Sequence, residues 1–331
     1  MAIEIHSDED DLSCTCSFIG KNGETCEHEV FKDGLCYWHH TDKKTDPDLI
    51  SKLEARARTG IPMVGFSLRS ANLEGIDLVN RGKQYGYKLV DADLYRCNLK
   101  KAHLFHIDLS GSSLMKANME QANLNCATLQ NVNLLGIDLL NAKLDNISWD
   151  NHIIQEQQAS KAKTPKERLD YYEQAEEIYR NLRKTTEAQG LFELTGYFFQ
   201  REMVMRRYQQ PRGSLKRILS KIVDVFCGYG EEPSRVVAIS LVTIFTFALL
   251  FFFVGITDGE NSLQFSLNHS ISDNLSRFFH SLYFSVVTFT TLGYGDLAPV
   301  GIARAFAAIE AFVGSFTLAL FVVVFVKKMT R

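Results

Sequence analysis

The sequence predicts a multidomain membrane protein, and three observations lead to this fold class. Four cysteines lie close together between residues 14 and 40. Apolar residues recur every five positions through much of residues 65–149. Near the end of the chain, segments 236–256 and 305–326 contain a single charged residue between them. Each of these segments is long enough to cross a bilayer, which takes about 20 residues.

Composition limits the classes of function. The formal net charge is −3, so the chain lacks the general basic character of a nucleic-acid-binding protein. Residues 1–13 are acidic, and we predict that they are disordered. They contain no basic stretch followed by an apolar one, so we expect no secretory signal and a cytoplasmic N-terminus. In a reducing compartment, clustered cysteines favour metal binding over disulfides.

Residues 14–40 are predicted to form a small zinc-binding module. The spacing is Cys16-x9-Cys26-x9-Cys36-x2-His39, and three thiolates with one imidazole complete a closed tetrahedral site of the structural kind. So short a segment cannot bury a core, and metal binding would supply its folding energy. The spacing also resembles a plant zinc motif with the pattern C-x9-C-x10-C-x2-H.

Two points about this module stay open in the sequence. Cys14 and His40 are rival ligands, and a set of free thiols without metal is the alternative. Lys21 and Lys32 are its only basic residues, so a folding or protein-contact role is favoured over nucleic-acid contact.

A repeat architecture follows a polar connector at residues 41–64. Neither the helical period of 3.6 nor the strand period of 2 produces a five-residue repeat. The larger apolar positions are Leu94, Leu99, Leu104, Leu109, Leu114, Met119, Leu124, Leu129, Leu134, Leu139, Leu144 and Trp149. A small or aliphatic residue stands two positions before each of them, and both sets are predicted to point inward. The pattern resembles the pentapeptide-repeat family, A(D/N)LXX, which implies a right-handed β-helix over residues 65–149 with four pentapeptides per coil.

Two features of the repeat block bear on its shape and its role. Leu78 and Leu89 are 11 residues apart, one more than two repeats, so we expect residues 79–88 to bulge or loop out. Some members of this family mimic DNA with an acidic rod. Eight acidic and nine basic residues over 65–149 give no such field. A rigid spacer or docking scaffold is therefore favoured.

Helices are predicted between the repeats and the membrane. Residues 150–213 are charged and rich in helix formers, with a start at Thr164 and a break at Gly190, which predicts a helical hairpin linker. Residues 214–233 are predicted to form an interfacial amphipathic helix on the membrane surface. Its apolar face consists of Leu215, Ile218, Leu219, Ile222 and Phe226.

Flanking charge predicts the orientation in the membrane. Residues 201–235 contain eight Lys or Arg and four acidic residues, whereas residues 257–301 contain one Arg and four acidic residues. Because basic residues concentrate on the cytoplasmic side, both termini are predicted to be cytoplasmic.

The pore is predicted within residues 234–331. Residues 278–290 are apolar but too short to span a bilayer, which favours a re-entrant pore helix. Non-helical backbone at membrane depth is tolerated only where protein buries it or where it lines a water-filled path. The next residues are Thr291, Leu292, Gly293, Tyr294, Gly295 and Asp296. This motif between two hydrophobic segments resembles the pore of two-helix potassium channels. The resemblance implies a tetramer whose filter carbonyls replace the hydration shell of K⁺.

The resemblance also assigns roles around the filter. The gating or pore-lining candidates are Thr290, Glu310, Gly314, Leu318, Val322 and Val326, with Gly314 matching the hinge of the inner helix. Leu292 stands where the consensus has Val, and its side chain is expected to pack outward against the pore helix. Val287 stands where some members have a Glu that pairs with the Asp after the filter, so Asp296 is expected to lack that partner.

Glu310 lies inside a predicted membrane helix, where an ionisable group points to function. Two roles fit it. It attracts cations to the cavity, or it forms a hydrogen bond to a pore-helix hydroxyl such as Thr288 or Thr290. The second, structural role is favoured.

We therefore predict a homotetrameric, potassium-selective channel in a bacterial plasma (inner) membrane, gated or anchored by its cytoplasmic domains. K⁺ is the transported ion and Zn²⁺ a structural metal. No catalytic constellation stands out, so no enzymatic activity is expected. The alternatives are a membrane-tethered scaffold that the pore region oligomerises, and a less selective cation channel. No nucleotide-binding, calcium-binding or voltage-sensing motif identifies a cytoplasmic ligand or partner.

Overall fold

The computed structural model describes residues 15–330 in two compact units. The first unit ends at Gln209 and the second begins at Gln210. The predicted disordered segment 1–13 and the rival ligand Cys14 lie outside the described residues.

The first unit opens with a small module and one helix. Antiparallel bridges pair Thr15 with Glu29, Ile19 with Thr25 and Lys32 with Leu35. Helix α1 (Leu49–Arg58) follows and buries Leu49, Leu53 and Ala57, which lie four residues apart on one face. The module contacts the first repeats, since the Trp38 ring stacks on Phe66 with centroids 5.0 Å apart.

The repeat block is a parallel β-helix. Its strands are β1 (Met63–Val64), β2 (Leu89–Val90), β3 (Thr128–Leu129) and β4 (Ser148–Trp149), with β1 paired to β2 and β3 paired to β4. Bridges such as Lys88 to Asp108 and Asn123 to Lys143 join residues 20 apart, which equals four pentapeptides. The apolar series from Leu94 to Leu144 is at most 5% exposed. The 20-residue spacing of the bridges and the burial of these side chains therefore agree with the five-residue repeat in the sequence.

An insertion enlarges the first coil. The bridge from Asp77 to His103 joins residues 26 apart, six more than in later coils. The insertion lies within residues 79–88, where a bulge or loop was expected, and the 11-residue step from Leu78 to Leu89 is one repeat with six added residues. Both leucines are buried, and the added residues form the turn around residues 81–85.

Three helices complete the first unit. They are α2 (Ile154–Lys161), α3 (Pro165–Ala188) and α4 (Phe192–Gln209). Thr164 caps α3, because its hydroxyl accepts the backbone N–H of Glu167 at 3.1 Å. Gly190, at φ 73°, makes the turn between α3 and α4. Helices α3 and α4 pack along each other. Helix α2 was not predicted from the sequence.

The second unit consists of four helices and a small sheet. The helices are α5 (Leu215–Cys227), α6 (Pro233–Val254), α7 (Ile271–Phe289) and α8 (Ala303–Met329), with a 3₁₀ turn at Gly228–Gly230. The antiparallel sheet has strands β5 (Ile256–Thr257), β6 (Ser262–Leu263) and β7 (Ala298–Pro299) in the order β6-β5-β7. Helices α6 and α8 are long and apolar enough to cross a membrane.

Helix α7 is longer than the predicted pore helix at 278–290. It begins at Ile271, because the Ser270 hydroxyl caps it by accepting the backbone N–H of Asp273 at 3.1 Å. The first turns of α7 are polar, so the apolar pattern of the sequence did not reveal where the helix begins.

Helix α5 leaves its apolar face uncovered in the single chain. Leu215, Ile218, Leu219 and Ile222 are all exposed. At the other side, Asp224 is buried and faces Arg235 of α6, whose Nη1 lies 3.5 Å from Asp224 Oδ1. The helix thus has one face packed within the unit and one free apolar face.

Candidate functional site

The segment between α7 and α8 has an alternating backbone. Thr291, Gly293 and Gly295 take φ values of 59°, 58° and 81°, while Leu292 and Tyr294 between them stay outside the left-handed region. In an ordinary strand, successive carbonyls point to opposite sides. Alternation of handedness turns successive carbonyls towards one side instead. Thr291 is branched at Cβ, so its left-handed conformation is costly, as is typical of functional loops.

Helix α7 anchors the start of this segment. The backbone N–H groups of Thr291 and Leu292 donate to the carbonyls of Thr288 and Val287, each at 3.0 Å. The Thr290 hydroxyl donates to Val286 O at 2.7 Å. The start of segment 291–296 is therefore hydrogen-bonded directly to the last turn of α7.

Asp296, at the far end of the segment, has a partner that the sequence did not indicate. The Tyr283 hydroxyl donates to Asp296 Oδ2 at 2.9 Å. Tyr283 lies one helical turn before Val287, on the same side of α7. Val287 cannot pair with Asp296 as the Glu of some channels was expected to do, and a phenol from the preceding turn bonds to Asp296 instead.

Segment 291–296 is uncovered in a single chain. Leu292 is 59% exposed and Tyr294 67% exposed, so the expected packing of Leu292 against the pore helix is not supplied within one chain. Leu318, Val322 and Val326 of α8 are also exposed, and their four-residue spacing places them on one face.

Gly314 lies within continuous α8, where the helix crosses the end of α7. A Cβ built on Gly314 would lie 2.1 Å from the carbonyl oxygen of Phe289. Glycine is therefore required for this close approach of two backbones. This close contact does not test whether Gly314 also acts as a hinge, so the hinge role stays a prediction.

Glu310 is fully buried and bonds to a hydroxyl other than the two expected. Its Oε1 contacts the hydroxyl of Ser285 on α7, while Thr290 donates to the backbone. Glu310 thus contacts a hydroxyl of α7, as one of the two expected roles requires, but that hydroxyl belongs to Ser285 and not to Thr288 or Thr290. Ser285 lies about one turn before Thr288 on α7. The way in which α7 and α8 pack decides which turn of α7 contacts Glu310.

The C-terminal end of α8 is tied to the corner between α5 and α6. Lys327 Nζ donates to Glu231 Oε1 at 2.6 Å. Val324 packs with Cys227 and Val236 in one buried cluster. No local sequence pattern indicates this contact, because the partners are 96 residues apart.

A second candidate site lies in the first unit. The structure brings together Cys16, Cys26, Cys36 and His39, whose ligand atoms all lie within 4.8 Å of one another. Cys26 Sγ is 3.8 Å from Cys36 Sγ, and His39 Nδ1 is 3.2 Å from Cys36 Sγ. Ligand bonds of about 2.0–2.3 Å place the corners of a zinc tetrahedron about 3.6–3.8 Å apart. The spacing thus fits a tetrahedral metal.

Surrounding groups orient these four side chains. His39 Nε2 lies 2.8 Å from Val64 O, so Nε2 carries the proton and Nδ1 is left to bind a metal. Burial lowers the pKa of His39 and keeps the ring neutral. The rival His40 points elsewhere, since its Nε2 meets Asp33 at 3.2 Å and its Nδ1 accepts from Asp42 N.

Electrostatics at the cysteines also favour a cation. Burial raises the pKa of Cys16, but backbone N–H groups of Cys36 and Phe18 outweigh it and hold the pKa below its usual value. Burial raises the pKa of Cys26 to about 12, and neighbouring Cys36 adds to the rise. Three adjacent sulfurs cannot all ionise without a positive ion between them.

Comparisons with known proteins find one family for the C-terminal helices and one for the repeat block. Residues 239–331 match the family described as Ion channel, and residues 92–125 match eight copies of the family described as Pentapeptide repeats. The chain is 35% identical over 74 residues to Protein LctB of Bacillus caldotenax, which covers 22% of this chain and 54% of that protein.

Two similar solved structures are pentapeptide repeat proteins of cyanobacteria. Rfr23 from Cyanothece is 30% identical and HetL from Nostoc is 26% identical, each with a TM-score of 0.16. Each match covers 24% of this chain and 50% of the other. The chain thus spans about half the length of each of the three proteins compared. Its resemblance to a channel pore joined to repeats is confirmed: the chain carries pentapeptide repeats followed by an ion-channel domain at its C-terminal end.

Proposed function

We propose that the chain is one subunit of a tetrameric, potassium-selective channel. The observation that carries this proposal is the alternating backbone of residues 291–295. Carbonyls that turn to one side can replace the hydration shell of K⁺ when several chains surround one axis. The glycines at 293 and 295 allow this conformation without strain.

Uncovered surface supports assembly into a tetramer. Leu292 and Tyr294 in the filter segment and Leu318, Val322 and Val326 on α8 form apolar surface that one chain leaves open. Exposed apolar surface of this extent marks contact with lipid or with other subunits. Four copies around the filter bury part of it and leave Val322 and Val326 to line the cytoplasmic side of the path.

The membrane arrangement follows from the helices and their charges. Helices α6 and α8 span the bilayer, α7 enters from the outer side, and the filter returns through the membrane. The basic flanks place both termini in the cytoplasm. The free apolar face of α5 then lies on the inner membrane surface, with Lys216 and Lys221 near lipid headgroups.

The cluster at Cys16, Cys26, Cys36 and His39 is a structural zinc site in this proposal. Four protein ligands leave no open position, so the ion would hold the module together rather than perform chemistry. We expect about one zinc per chain by elemental analysis of the purified protein. Cys36→Ser should lose the metal, whereas Cys126→Ser, outside the cluster, should keep it. Equal zinc in both variants would contradict the assignment.

Ion flux from the purified full chain in liposomes tests the channel. We expect barium-sensitive flux with a reversal potential that follows K⁺ in mixed K⁺ and Na⁺. Gly293→Ala should abolish selectivity, because alanine is strained at φ 58°. Gly259→Ala is the matched control, since Gly259 has φ 99° in open space outside the filter. Equal K⁺ and Na⁺ permeability would favour a less selective channel, and absence of any flux would favour a membrane-tethered scaffold.

A further inference from the structure

We propose that Glu310 is held as a neutral carboxylic acid that donates a hydrogen bond to Ser285, and that this proton positions the pore helix. The functional half of this inference rests on the proposed channel activity. The structural half concerns only the contact among α6, α7 and α8.

The single proton of the Ser285 hydroxyl decides which group donates in its contact with Glu310. Ser285 Oγ lies 2.8 Å from the backbone oxygen of Ile244 on α6 and also contacts Glu310 Oε1 on α8. A hydroxyl has one proton, and a carbonyl oxygen can only accept. The serine proton therefore goes to Ile244. The contact with Glu310 then needs a proton from the carboxyl group, since two oxygens without a proton between them repel.

The burial of Glu310 without a paired positive charge also indicates a neutral carboxylic acid. Glu310 is 0% exposed, and its Oε2 has no hydrogen-bond partner among the described residues. A carboxylate in such a place requires a paired cation. Helix α6 has no ionisable side chain between Val236 and Val254. A charged Glu310 would therefore lack compensation from that helix.

The other two helices offer no cation nearby. On α7 the titratable side chains closest along the chain are His280 and Tyr283, which bond to Ser276 O and Asp296. On α8, Arg304 is six residues away and lies near Pro299 O, and Lys327 bonds to Glu231. None of these described groups is directed at Glu310.

The location explains why such a proton matters for conduction. The bond joins the outer, pore and inner helices in one chain of oxygens, from Ile244 through Ser285 to Glu310. One turn further along α8, Gly314 meets Phe289 O at the end of α7. These two contacts fix α7 against α8, and α7 leads into the filter at Thr291.

Substitutions separate a neutral donor from a charge. Glu310→Gln keeps a neutral donor of the same length, because its amide N–H groups can donate to Ser285. Glu310→Ala removes the donor. Ser285→Ala removes the acceptor and leaves the acid in place. A role in attracting cations predicts that Gln and Ala fail alike.

Infrared spectroscopy of the full chain in liposomes reads the proton directly and needs no ion flux. We expect a carbonyl band of a protonated carboxylic acid at neutral pH that is absent in Glu310→Gln. The control Glu260→Gln, an exposed acid outside the membrane helices, should leave the band unchanged. Ser285→Ala should shift the band, because the acid loses its acceptor. Absence of the band from the native chain would overturn the proposal.

Flux measurements test the positioning role. Glu310→Gln should conduct within about twofold of the native chain, with the same dependence on pH. Glu310→Ala should lower flux by about tenfold, the loss expected when a buried hydrogen bond worth about 1.4 kcal/mol disappears. Native flux in Glu310→Ala, or loss in Glu310→Gln, would overturn this role. A native chain that shows the infrared band without K⁺ flux would refute the channel and leave the proton assignment standing.

Discussion

Replacement of Gly314 by alanine separates two explanations for a glycine in the inner helix. If Gly314 serves only as a hinge, alanine should stabilise the helix by about 0.5–1 kcal/mol, because glycine costs that much in a helix interior. If it serves close packing, alanine should destabilise the assembly. The two explanations therefore predict opposite signs.

The structure supplies the magnitude. An added Cβ would lie 2.1 Å from Phe289 O, whereas an ordinary contact between carbon and a carbonyl oxygen is about 3.3–3.6 Å. Helix α8 or the end of α7 must move by about 1.2 Å or more to relieve the overlap. Overpacking of this kind costs about 1–3 kcal/mol, which exceeds the gain in helix propensity. We expect a net loss of about 1–2 kcal/mol per chain.

Thermal unfolding in detergent, followed by loss of the assembled species, measures this effect. Ser315→Ala is the matched control, because Ser315 is the next residue and is exposed on α8. We expect Gly314→Ala to unfold at a lower temperature and to lose K⁺ selectivity, since the filter moves with α7. Unchanged or raised stability with reduced channel opening would refute the packing explanation and support the hinge.

Three further predictions address the filter end, the metal cluster and the inner-helix end. Tyr283→Phe removes a hydrogen bond to Asp296, worth about 1 kcal/mol, and should speed the slow decay of current several-fold in planar bilayers; an unchanged decay would contradict it. Cys36→Ser or strong chelation should make residues 15–60 more sensitive to protease, and unchanged resistance of these residues would show that the module folds without metal. Lys327→Glu should change the open probability, and the exchange with Glu231→Lys should restore it; no rescue would mean that this ion pair does not act in gating.

Patterns that repeat along the chain were sufficient to predict the larger elements. The five-residue period, the apolar length of α6 and α8 and the motif at 291–296 are each properties of neighbouring residues. The cysteine spacing likewise led to the four side chains that the fold brings together. Such features need no knowledge of how distant segments pack.

Contacts between elements were beyond the reach of these patterns. The partners of Asp296 and Glu310 are a phenol and a hydroxyl whose sequence neighbourhood is ordinary for a pore helix. Their selection depends on helix crossing, which a shift of one turn changes. The loop before Leu89 was expected, but its six added residues could not be derived from the sequence, because only stacking of coils shows which leucines are neighbours.

In the proposed channel, the contacts of α8 favour a gate at its cytoplasmic end over a gate at the filter. Helix α5 follows the first unit in the chain, and its end packs at Cys227 with Val324 of α8. Lys327 then ties α8 to the same corner. A displacement of α5 thus acts first on the last turns of α8, whereas the filter lies beyond the buried contact at Glu310. In that channel, a cytoplasmic stimulus would move the inner-helix end while the bond between Glu310 and Ser285 keeps the filter in place.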